Sequence, residues 1–241
     1  YLIGSVYGLM TTLLYGMTGA LLGIGIVKKW PYWNRILNAS IVFVVVMPLM
    51  TYVLTKLSIS EMFLQTMNEM FSVFDQVGSV MPEGSMEQLT SMQEMMQTVI
   101  PMVMPTLLLI MGAIQAFLSD KVSTLMLKRM HLQTPVSQPI SEFQLGAKLA
   151  ILLIISQFAM AFVRNSGVTV VLLNVVMLLN TLFMIQGIIV AIQFFKSRNQ
   201  KGLGIMVVVF AILSNLVMFV SLIGMMDALF DYRKRFEIKG V

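Results

Sequence analysis

The chain has no cysteine and a single histidine, His131. The absence of cysteine excludes a disulfide framework, a thiolate metal site and a cysteine nucleophile. One histidine leaves little for a zinc site or for imidazole catalysis, so we expect neither a metal nor another cofactor. The sequence also lacks the P-loop, nucleophile-elbow and zincin motifs of common enzyme classes, and we therefore do not expect an enzyme.

Charged residues are scarce as well. They make up 11% of the 241 residues, whereas 58% are hydrophobic and the mean hydropathy is +0.87. A soluble domain carries about 25% charged residues, so this composition excludes an ordinary soluble globule, a disordered chain and a nucleic-acid-binding module. The net charge of +5 indicates no nucleic-acid partner, because the basic residues stand between apolar runs, where membrane topology places them.

The remainder of the chain consists of long apolar runs, each able to cross about 30 Å of hydrocarbon as a helix. A helix satisfies its own backbone hydrogen bonds in that environment. We predict an all-α, polytopic transmembrane helix bundle that forms a single membrane domain over residues 1–241. Because the chain starts inside the first run, we expect further sequence upstream. The six predicted spans are 1–27, 36–56, 98–119, 146–164, 167–195 and 203–226.

The connecting segments differ in charge, and this difference predicts their side of the membrane. Residues 28–35 combine three basic residues with aromatic rings that suit the headgroup level. Residues 120–145 and 196–201 are basic too, whereas residues 57–97 contain six acids and no Lys or Arg. Basic loops stay on the cytoplasmic side, so we expect the three basic segments inside and 57–97 outside.

The C-terminal tail conflicts with this assignment. Six spans with the first loop inside place the tail outside, yet the tail is strongly basic. Either the tail departs from the positive-inside tendency, or one run is a re-entrant or broken helix; runs 167–195 and 146–164 are the two suspects. Within the tail, Asp231 and Arg235 have the spacing of a helical ion pair. The basic residues of the tail are Arg233, Lys234, Arg235 and Lys239.

The acidic segment predicts an external amphipathic helical hairpin over residues 57–99, inserted between the second and third spans. Its apolar residues follow helical spacing in two stretches, on either side of a turn at 82–84. Each stretch opens with a capping-box pattern, such as Ser58 with Glu61. We expect the two apolar faces to pack on each other and to form a lid or docking surface. The face residues are Phe63, Met67, Met70, Phe74, Val77 and Met81, then Met86, Leu89, Met92, Met96 and Val99.

The first span carries glycine at four-residue spacing, in the pairs Gly4–Gly8 and Gly19–Gly23. In lipid, small residues let two helix backbones pack closely. We interpret these glycines as helix-packing positions within the chain. The alternative is a seam against a partner protein or the wall of a substrate cavity.

Amide side chains are the main polar groups inside the later spans. They usually hydrogen-bond between helices, and the alternative is a polar pocket for a small uncharged or zwitterionic solute. No Asp, Glu, Lys or Arg lies mid-span, and ion-coupled carriers normally need such groups. Any transport would therefore take its energy from partner proteins. The candidate ligand-binding residues are Gln157, Asn174, Asn180, Gln186 and Asn215.

Methionine is abundant, with 24 residues. Thioether sulfur is a soft ligand that favours Cu(I), but most of these methionines follow helical core spacing without cysteine or histidine among them. Methionine also fills irregular gaps in adaptable cores. We favour that interpretation over a metal site.

The run from Gly224 to Phe236, GMMDALFDYRKRF, resembles the closing motif of the YybS-like family, multi-pass bacterial membrane proteins of unassigned function. The glycine-patterned first span before Lys28-Lys29 and the long insert before the third span are similar too. That family is distantly similar to the substrate-binding subunits of energy-coupling-factor vitamin transporters. The resemblance implies a subunit that binds a solute and borrows ATPase subunits for energy, and it carries over no ligand-binding residue.

We therefore expect an integral protein of the bacterial cytoplasmic membrane, in contact with the lipid bilayer. Its expected role is that of a non-enzymatic solute-binding or transporter-like subunit, energised by partner membrane proteins or ATPase subunits. The alternative is a membrane scaffold or interaction subunit of an envelope or signalling complex, acting through the glycine seam and the external hairpin. A polar-lined pocket favours the first function, and an exposed apolar groove on a dry bundle favours the second.

Overall fold

A computed structural model describes residues 2–77, 85–132, 140–214 and 216–237. Over these residues the chain is helical apart from turns and one short 3-10 helix at Ile140–Glu142, and it contains no strand. The predicted all-α class is confirmed. The helices are α1 (Leu2–Val27), α2 (Tyr32–Thr55), α3 (Ile59–Val77), α4 (Ser85–Arg129), α5 (Ala147–Phe162), α6 (Ser166–Lys196), α7 (Lys201–Leu213), α8 (Val217–Phe230) and α9 (Tyr232–Glu237).

The contacts within the chain divide it into two compact units. Unit 1 covers Tyr1–Ser137 and holds α1 to α4. Unit 2 covers Gln138–Val241 and holds α5 to α9. This division does not test the predicted single membrane domain over residues 1–241, which stays a prediction.

Three helices are long and apolar enough to cross a membrane alone: Tyr32–Thr55, Glu87–Arg129 and Ser166–Lys196. Large apolar side chains also cover the outside of both units; Val27 of unit 1 and Phe162 of unit 2, for example, are 82% and 81% exposed. Water disfavours such a surface, whereas a bilayer does not. The exposed surface is therefore that of a membrane protein.

In unit 1, α1 and α2 form a tight hairpin, closed by a turn in which the Trp30 N–H donates to the Gly25 carbonyl oxygen at 2.9 Å. Helix α4 packs along α2. At Gly112 the two backbones approach so closely that a Cβ would lie 2.8 Å from the Ser40 carbonyl oxygen. The buried apolar cluster that joins the three helices consists of Leu22, Tyr32, Ile36, Ala39 and Ala116.

Helix α3 begins with the predicted capping box. The Ser58 N–H donates to Glu61 Oε2 at 2.6 Å, and the Glu61 N–H donates to Ser58 Oγ at 3.2 Å. The helix then packs on the first turns of α4, where Asn68 Oδ1 accepts hydrogen bonds from Gln93 and Gln97. The predicted helical hairpin is thus present, with a polar contact between its arms.

Two details of the predicted hairpin are wrong. Its second helix does not end where the third span begins, because α4 continues to Arg129 as one helix of 45 residues, about 67 Å long. The predicted seam through Met70 and Met92 is also displaced, since these side chains are 53% and 41% exposed. The arms meet instead through the face that carries Asn68. The predicted turn at 82–84 lies outside the described residues.

In unit 2, α5 and α6 form a hairpin, and α8 packs closely along α6. The α6 and α8 backbones meet at two glycines. A Cβ built on Gly187 would overlap the Val220 carbonyl oxygen, and a Cβ on Gly224 would overlap that of Phe183. Small residues that let backbones touch are a common means of helix association in lipid.

Helices α6 and α8 run in the same direction. Ser221 Oγ hydrogen-bonds Asn180 Oδ1 at 3.2 Å. Six residues further along both helices, Gln186 Nε2 donates to Asp227 Oδ2 at 2.8 Å. Residue numbers therefore rise together along the pair, so the intervening helix α7 must run back along α6.

The sixth predicted span, 203–226, is consequently broken into α7 and α8. Gly204 packs against Phe195, and Gly224 packs against Gly187. Positions 187 and 195 are about 12 Å apart along α6, whereas positions 204 and 224 on one straight helix would be about 30 Å apart. A straight helix cannot make both contacts, so the chain folds back.

Neither of the two runs suspected from the sequence is interrupted: α6 is continuous over 31 residues and α5 over 16. With 13 and 14 residues, α7 and α8 are each about 20 Å long, too short to cross about 30 Å of hydrocarbon. The pair leaves and returns to the end of unit 2 where α6 ends. The break thus lies in a different run from the two suspects, and it returns the basic tail to the end of unit 2 that carries the basic segment 196–201.

Candidate functional site

A cleft of about 300 Å³ opens in unit 1 between α1, α2 and the start of α3. It lies where α2 passes into α3, away from the turn between α1 and α2. Volumes of about 300–1,000 Å³ are typical of small-molecule sites. The lining residues are Gly8, Thr11 and Leu14 from α1, Met47, Met50, Thr51 and Thr55 from α2, and Met62 from α3.

Gly8 leaves the space for this cleft. A Cβ built on Gly8 would meet no described atom within 4 Å, so α1 presents bare backbone there. Met47 and Met50 lie three residues apart and share a face of α2, and Met62 adds a third thioether from α3. Unbranched thioether side chains adapt to an irregular space, which suits the wall of a binding cleft.

The threonines of the cleft direct their hydroxyl hydrogens into their own helices. Thr51 Oγ1 donates to the Met47 carbonyl oxygen at 2.8 Å. Thr55 Oγ1 donates to that of Thr51 at 2.8 Å, and Thr11 Oγ1 donates to that of Gly8 at 3.1 Å. None of the described residues that line the cleft is charged. Its walls therefore combine apolar groups with oxygen and sulfur acceptors.

A broader depression of about 520 Å³ lies along α3. All its lining residues belong to this one helix, and a single helix cannot enclose a ligand. We therefore do not regard it as a site. The lining residues are Glu61, Leu64, Gln65, Asn68, Glu69 and Ser72.

A polar centre joins the helix ends of unit 2 around Asp227, which is fully buried. Its carboxylate accepts hydrogen bonds from Gln186 Nε2 at 2.8 Å and from Arg233 Nε at 2.9 Å. The Gln186 Oε1 atom accepts from the Leu145 N–H at 2.8 Å. Arg233 Nη1 donates to the Ser141 carbonyl oxygen at 3.0 Å. These bonds tie the start of α5 to α6, α8 and α9, and we interpret the centre as structural.

The same centre explains the tail motif. Helix α8 ends just before Asp231, which adopts a left-handed conformation with a φ of 51°. This turn lets Arg233 fold back onto Asp227, while Asp231 pairs with Lys234 at 2.6 Å. The hydrogen bond from Lys234 to the charged carboxylate holds the pKa of Asp231 below its ordinary value. The side chain of Arg235, the predicted partner of Asp231, lies outside the described residues.

A buried ion pair lies at the other end of unit 1 from the cleft. Arg35 Nη2 in α2 and Asp120 Oδ1 in α4 are 2.9 Å apart, and the side chains are only 3% and 1% exposed. Lys121 Nζ lies 5.3 Å from the centre of the Tyr32 ring. A Cβ on Gly25 would lie 2.8 Å from Arg35 Cγ, so glycine there admits the arginine stem. These contacts pack the start of α2 against α4 at Asp120 and Lys121.

The five amide candidates have different surroundings. Gln157 is exposed on α5, and half-buried Asn174 donates to a carbonyl oxygen of its own helix at 2.8 Å. Asn180 and Gln186 bond to α8 as described above, and Asn215 lies outside the described residues. None of the four described amides lines the cleft. A ligand role for these residues stays a prediction.

The glycine candidates also differ from one another. Gly8 lines the cleft. A Cβ on Gly19 or Gly23 would meet no described atom within 4 Å, and the surroundings of Gly4 lie outside the described residues. The close approaches occur at glycines that we did not predict as packing positions: Gly25, Gly112, Gly187, Gly204 and Gly224.

Sequence reasoning did not single out the two buried acids, Asp120 and Asp227, as paired groups. Each has a sequence signal: Asp120 is the single acid at the basic end of α4, and Asp227 interrupts the apolar run of α8. An acid in such a place normally pairs with a cation, and the partners are Arg35 and Arg233. Among the described residues, no group of three His, Asp or Glu side chains could hold a metal ion.

Comparison with known proteins supports the interpretation that the exposed apolar surface is that of a membrane protein. A family model described as "Predicted membrane protein (DUF2232)" matches residues 1–228. The curated proteins give no match, and neither do the solved structures. The matched segment contains the cleft, the buried Arg35–Asp120 pair, helix α7 and all but the last two residues of α8. The chain is an integral membrane protein and belongs to the DUF2232 family.

Proposed function

We propose that this membrane protein is a non-enzymatic binding subunit for a small uncharged solute, which it holds in the cleft between α1, α2 and α3. The observation that carries the proposal is the cleft itself, with a volume of about 300 Å³ and a lining without charge. Apolar walls with a few polar groups suit a small molecule. A charged solute would lose its hydration there without gaining an ionic partner.

Helix α3 provides the wall that can admit a solute. Met62 lies one turn into α3, close behind the short connection from α2. The main packing of unit 1 is between α2 and α4 and between α1 and α2, so a change in the angle of α3 would open the cleft and leave that packing intact. The predicted lid role of the hairpin is thereby connected to the cleft.

Any transport by this protein would take its energy from partner proteins. The two fully buried acids of the described chain are both paired with arginine near helix ends, and ion-coupled carriers normally use ionisable groups within the spans. A subunit that borrows ATPase subunits is what the resemblance to the YybS-like family, and more distantly to energy-coupling-factor transporters, implies. We place the protein in the bacterial cytoplasmic membrane on the same basis.

Native mass spectrometry of the full chain, extracted from cell membranes into lipid nanodiscs, tests the proposal. Gly8→Leu should fill the cleft and abolish retention of a bound small molecule, because Gly8 lines the cleft. The fold should tolerate the change, because a Cβ at Gly8 would meet no described atom within 4 Å. Gly19→Leu is the matched control, since a Cβ at Gly19 is equally unobstructed and Gly19 does not line the cleft. Retention that survives Gly8→Leu, or an empty wild-type protein, contradicts the proposal.

A second candidate function, that of a scaffold or interaction subunit, is favoured by the open face of α1. A Cβ on Gly16, Gly19 or Gly23 would meet no described atom within 4 Å, so the backbone of another helix could approach α1 there. In that case Gly19→Leu should remove a co-purifying membrane protein in the same experiment, and Gly8→Leu should not. The two variants therefore separate the two functions.

A further inference from the structure

We infer that the solute of the cleft is a neutral molecule with an apolar ring whose polar groups donate hydrogen bonds, and that the cleft rejects carboxylates and phosphates. This inference rests on the proposed function and adds the chemical class of the solute. It excludes the zwitterionic solutes that the sequence left open.

The described lining residues offer acceptors, and their own donors are already engaged. The hydroxyl hydrogens of Thr51 and Thr55 point to carbonyl oxygens of α2, so the Thr51 oxygen presents lone pairs. Thioether sulfur is an acceptor and never a donor. The lining backbone N–H groups lie inside helices, and that of Met62, for example, donates to the Ser58 carbonyl oxygen at 3.0 Å. A solute that fits these walls must therefore supply the donor itself.

The charge of the lining sets the second condition. No Lys or Arg is among the described lining residues, so a carboxylate or phosphate would find neither a cation nor a free donor among them. These residues include no Asp or Glu either, so an ammonium group would meet acceptors without a counter-charge and would keep most of its desolvation cost. A neutral alcohol, amide or heteroaromatic N–H meets both conditions.

The three methionines favour a ring in the apolar part of the solute. Met47 and Met50 come from one face of α2, and Met62 comes from α3. Sulfur makes favourable contacts with the edge of an aromatic ring at about 5 Å. A flat ring in this cleft would therefore meet thioether groups from two helices.

Indole is a suitable probe, because it is neutral and flat, carries one N–H donor and is smaller than the cleft. N-methylindole keeps the ring and loses the donor, and indole-3-acetate adds a carboxylate. Isothermal titration calorimetry on the purified full chain should show N-methylindole binding about three- to tenfold more weakly than indole, as expected for one lost hydrogen bond. Indole-3-acetate should not bind. Gly8→Leu should abolish indole binding, and Gly19→Leu should preserve it.

Thr51→Val separates the hydrogen bond from the shape of the cleft. The Met47 carbonyl oxygen keeps its helix hydrogen bond in this variant, so the fold should be preserved. Indole should then bind as weakly as N-methylindole, and the preference between the two should fall to about one. Thr181→Val is the matched control, since Thr181 Oγ1 donates to the Met177 carbonyl oxygen at 2.9 Å in the same way within unit 2. This control should keep the full preference.

Three results would overturn the inference: equal affinity for indole and N-methylindole, binding of indole-3-acetate, or no binding of indole. Indole binding that survives Gly8→Leu would overturn it as well, because the probe would then bind elsewhere. If native mass spectrometry nevertheless finds a small molecule that Gly8→Leu displaces, the proposed function stands and only the chemical class falls.

Discussion

Gly187 of α6 and Gly224 of α8 bring the two helices into backbone contact. A side chain at either position would overlap a carbonyl oxygen of the other helix, and the Cβ of either would also crowd the N–H of its partner glycine. This contact holds α8 parallel to α6, and the parallel arrangement requires α7, which connects them in the chain, to run back along α6. Two glycines from different apolar runs thus determine the topology of unit 2.

Gly224→Ala should destabilise the protein by about 1–3 kcal/mol, the usual cost of overpacking. The obstructing atom is a backbone carbonyl oxygen, which cannot rotate away as a flexible side chain could. Gly202→Ala is the control, because a Cβ there would meet no described atom within 4 Å, and alanine favours a helix. Thermal unfolding in detergent, followed by circular dichroism, measures both. A Gly224→Ala protein as stable as the Gly202→Ala protein would disprove the close contact.

Asp120→Ala should be among the most damaging single changes in unit 1. It leaves the Arg35 charge buried without its partner, at a cost of about 3–5 kcal/mol. Replacing both residues, with Arg35→Met and Asp120→Leu, should recover most of the loss, because the desolvation of both charges disappears with them. The exposed pair of Asp231 and Lys234 provides the control, and Lys234→Ala should change the stability far less than Asp120→Ala. A double variant no more stable than Asp120→Ala would contradict this account.

The start of α3 should lose stability in acid. Hydrogen bonds from the Ser58 backbone and side chain hold the pKa of Glu61 below its ordinary value of 4.5. A carboxyl group whose pKa is lower in the folded than in the unfolded protein stabilises the fold fully at pH values above its unfolded pKa. That stabilisation is lost as the pH falls through the folded pKa. Amide hydrogen exchange in the first turn of α3, corrected for the intrinsic rate, should therefore accelerate below about pH 4.5.

Glu61→Gln is the test of that cause. Glutamine can accept the same capping hydrogen bond without titrating, so the exchange of the first turn should become nearly independent of pH. If the acid-induced acceleration persisted in Glu61→Gln, another group would be responsible for it.

Several elements follow from local sequence patterns. The apolar runs predict the helices, because a chain in hydrocarbon has to satisfy its own backbone. The start of α3 follows from Ser58 and Glu61, since a capping box needs only residues three apart. The tail conflict left a broken helix as one of two alternatives, because charge bias records topology without reference to packing. The break occurs in the last run, which was not one of the two suspects.

The features that sequence reasoning missed depend on residues far apart in the chain. The break in the last run follows from the Gly187–Gly224 contact, which no local periodicity can show. The Arg35–Asp120 pair joins α2 to α4 in the same way. Of the cleft residues, sequence reasoning singled out Gly8, either as a helix-packing position or as part of a partner seam or cavity wall. The opposite wall of the cleft, with Met47 and Thr51, has the sequence pattern of an ordinary apolar helix, and only the packing of the helices shows that it lines a cleft.

The membrane side of the C-terminal tail tests whether α7 and α8 fold back on each other. The chain is free of cysteine, so Glu69→Cys, Gln200→Cys and Lys234→Cys each introduce a single thiol at an exposed position. A membrane-impermeant maleimide should label Glu69→Cys in intact cells, and it should label the other two only after permeabilisation. The reason is that α7 and α8 leave from and return to the side where α6 ends, so residues 200 and 234 share a side. The cysteine-free parent is the control for background labelling. If Lys234→Cys labelled in intact cells while Gln200→Cys did not, α7 and α8 would together cross the membrane once, and the fold-back of α7 and α8 would be wrong.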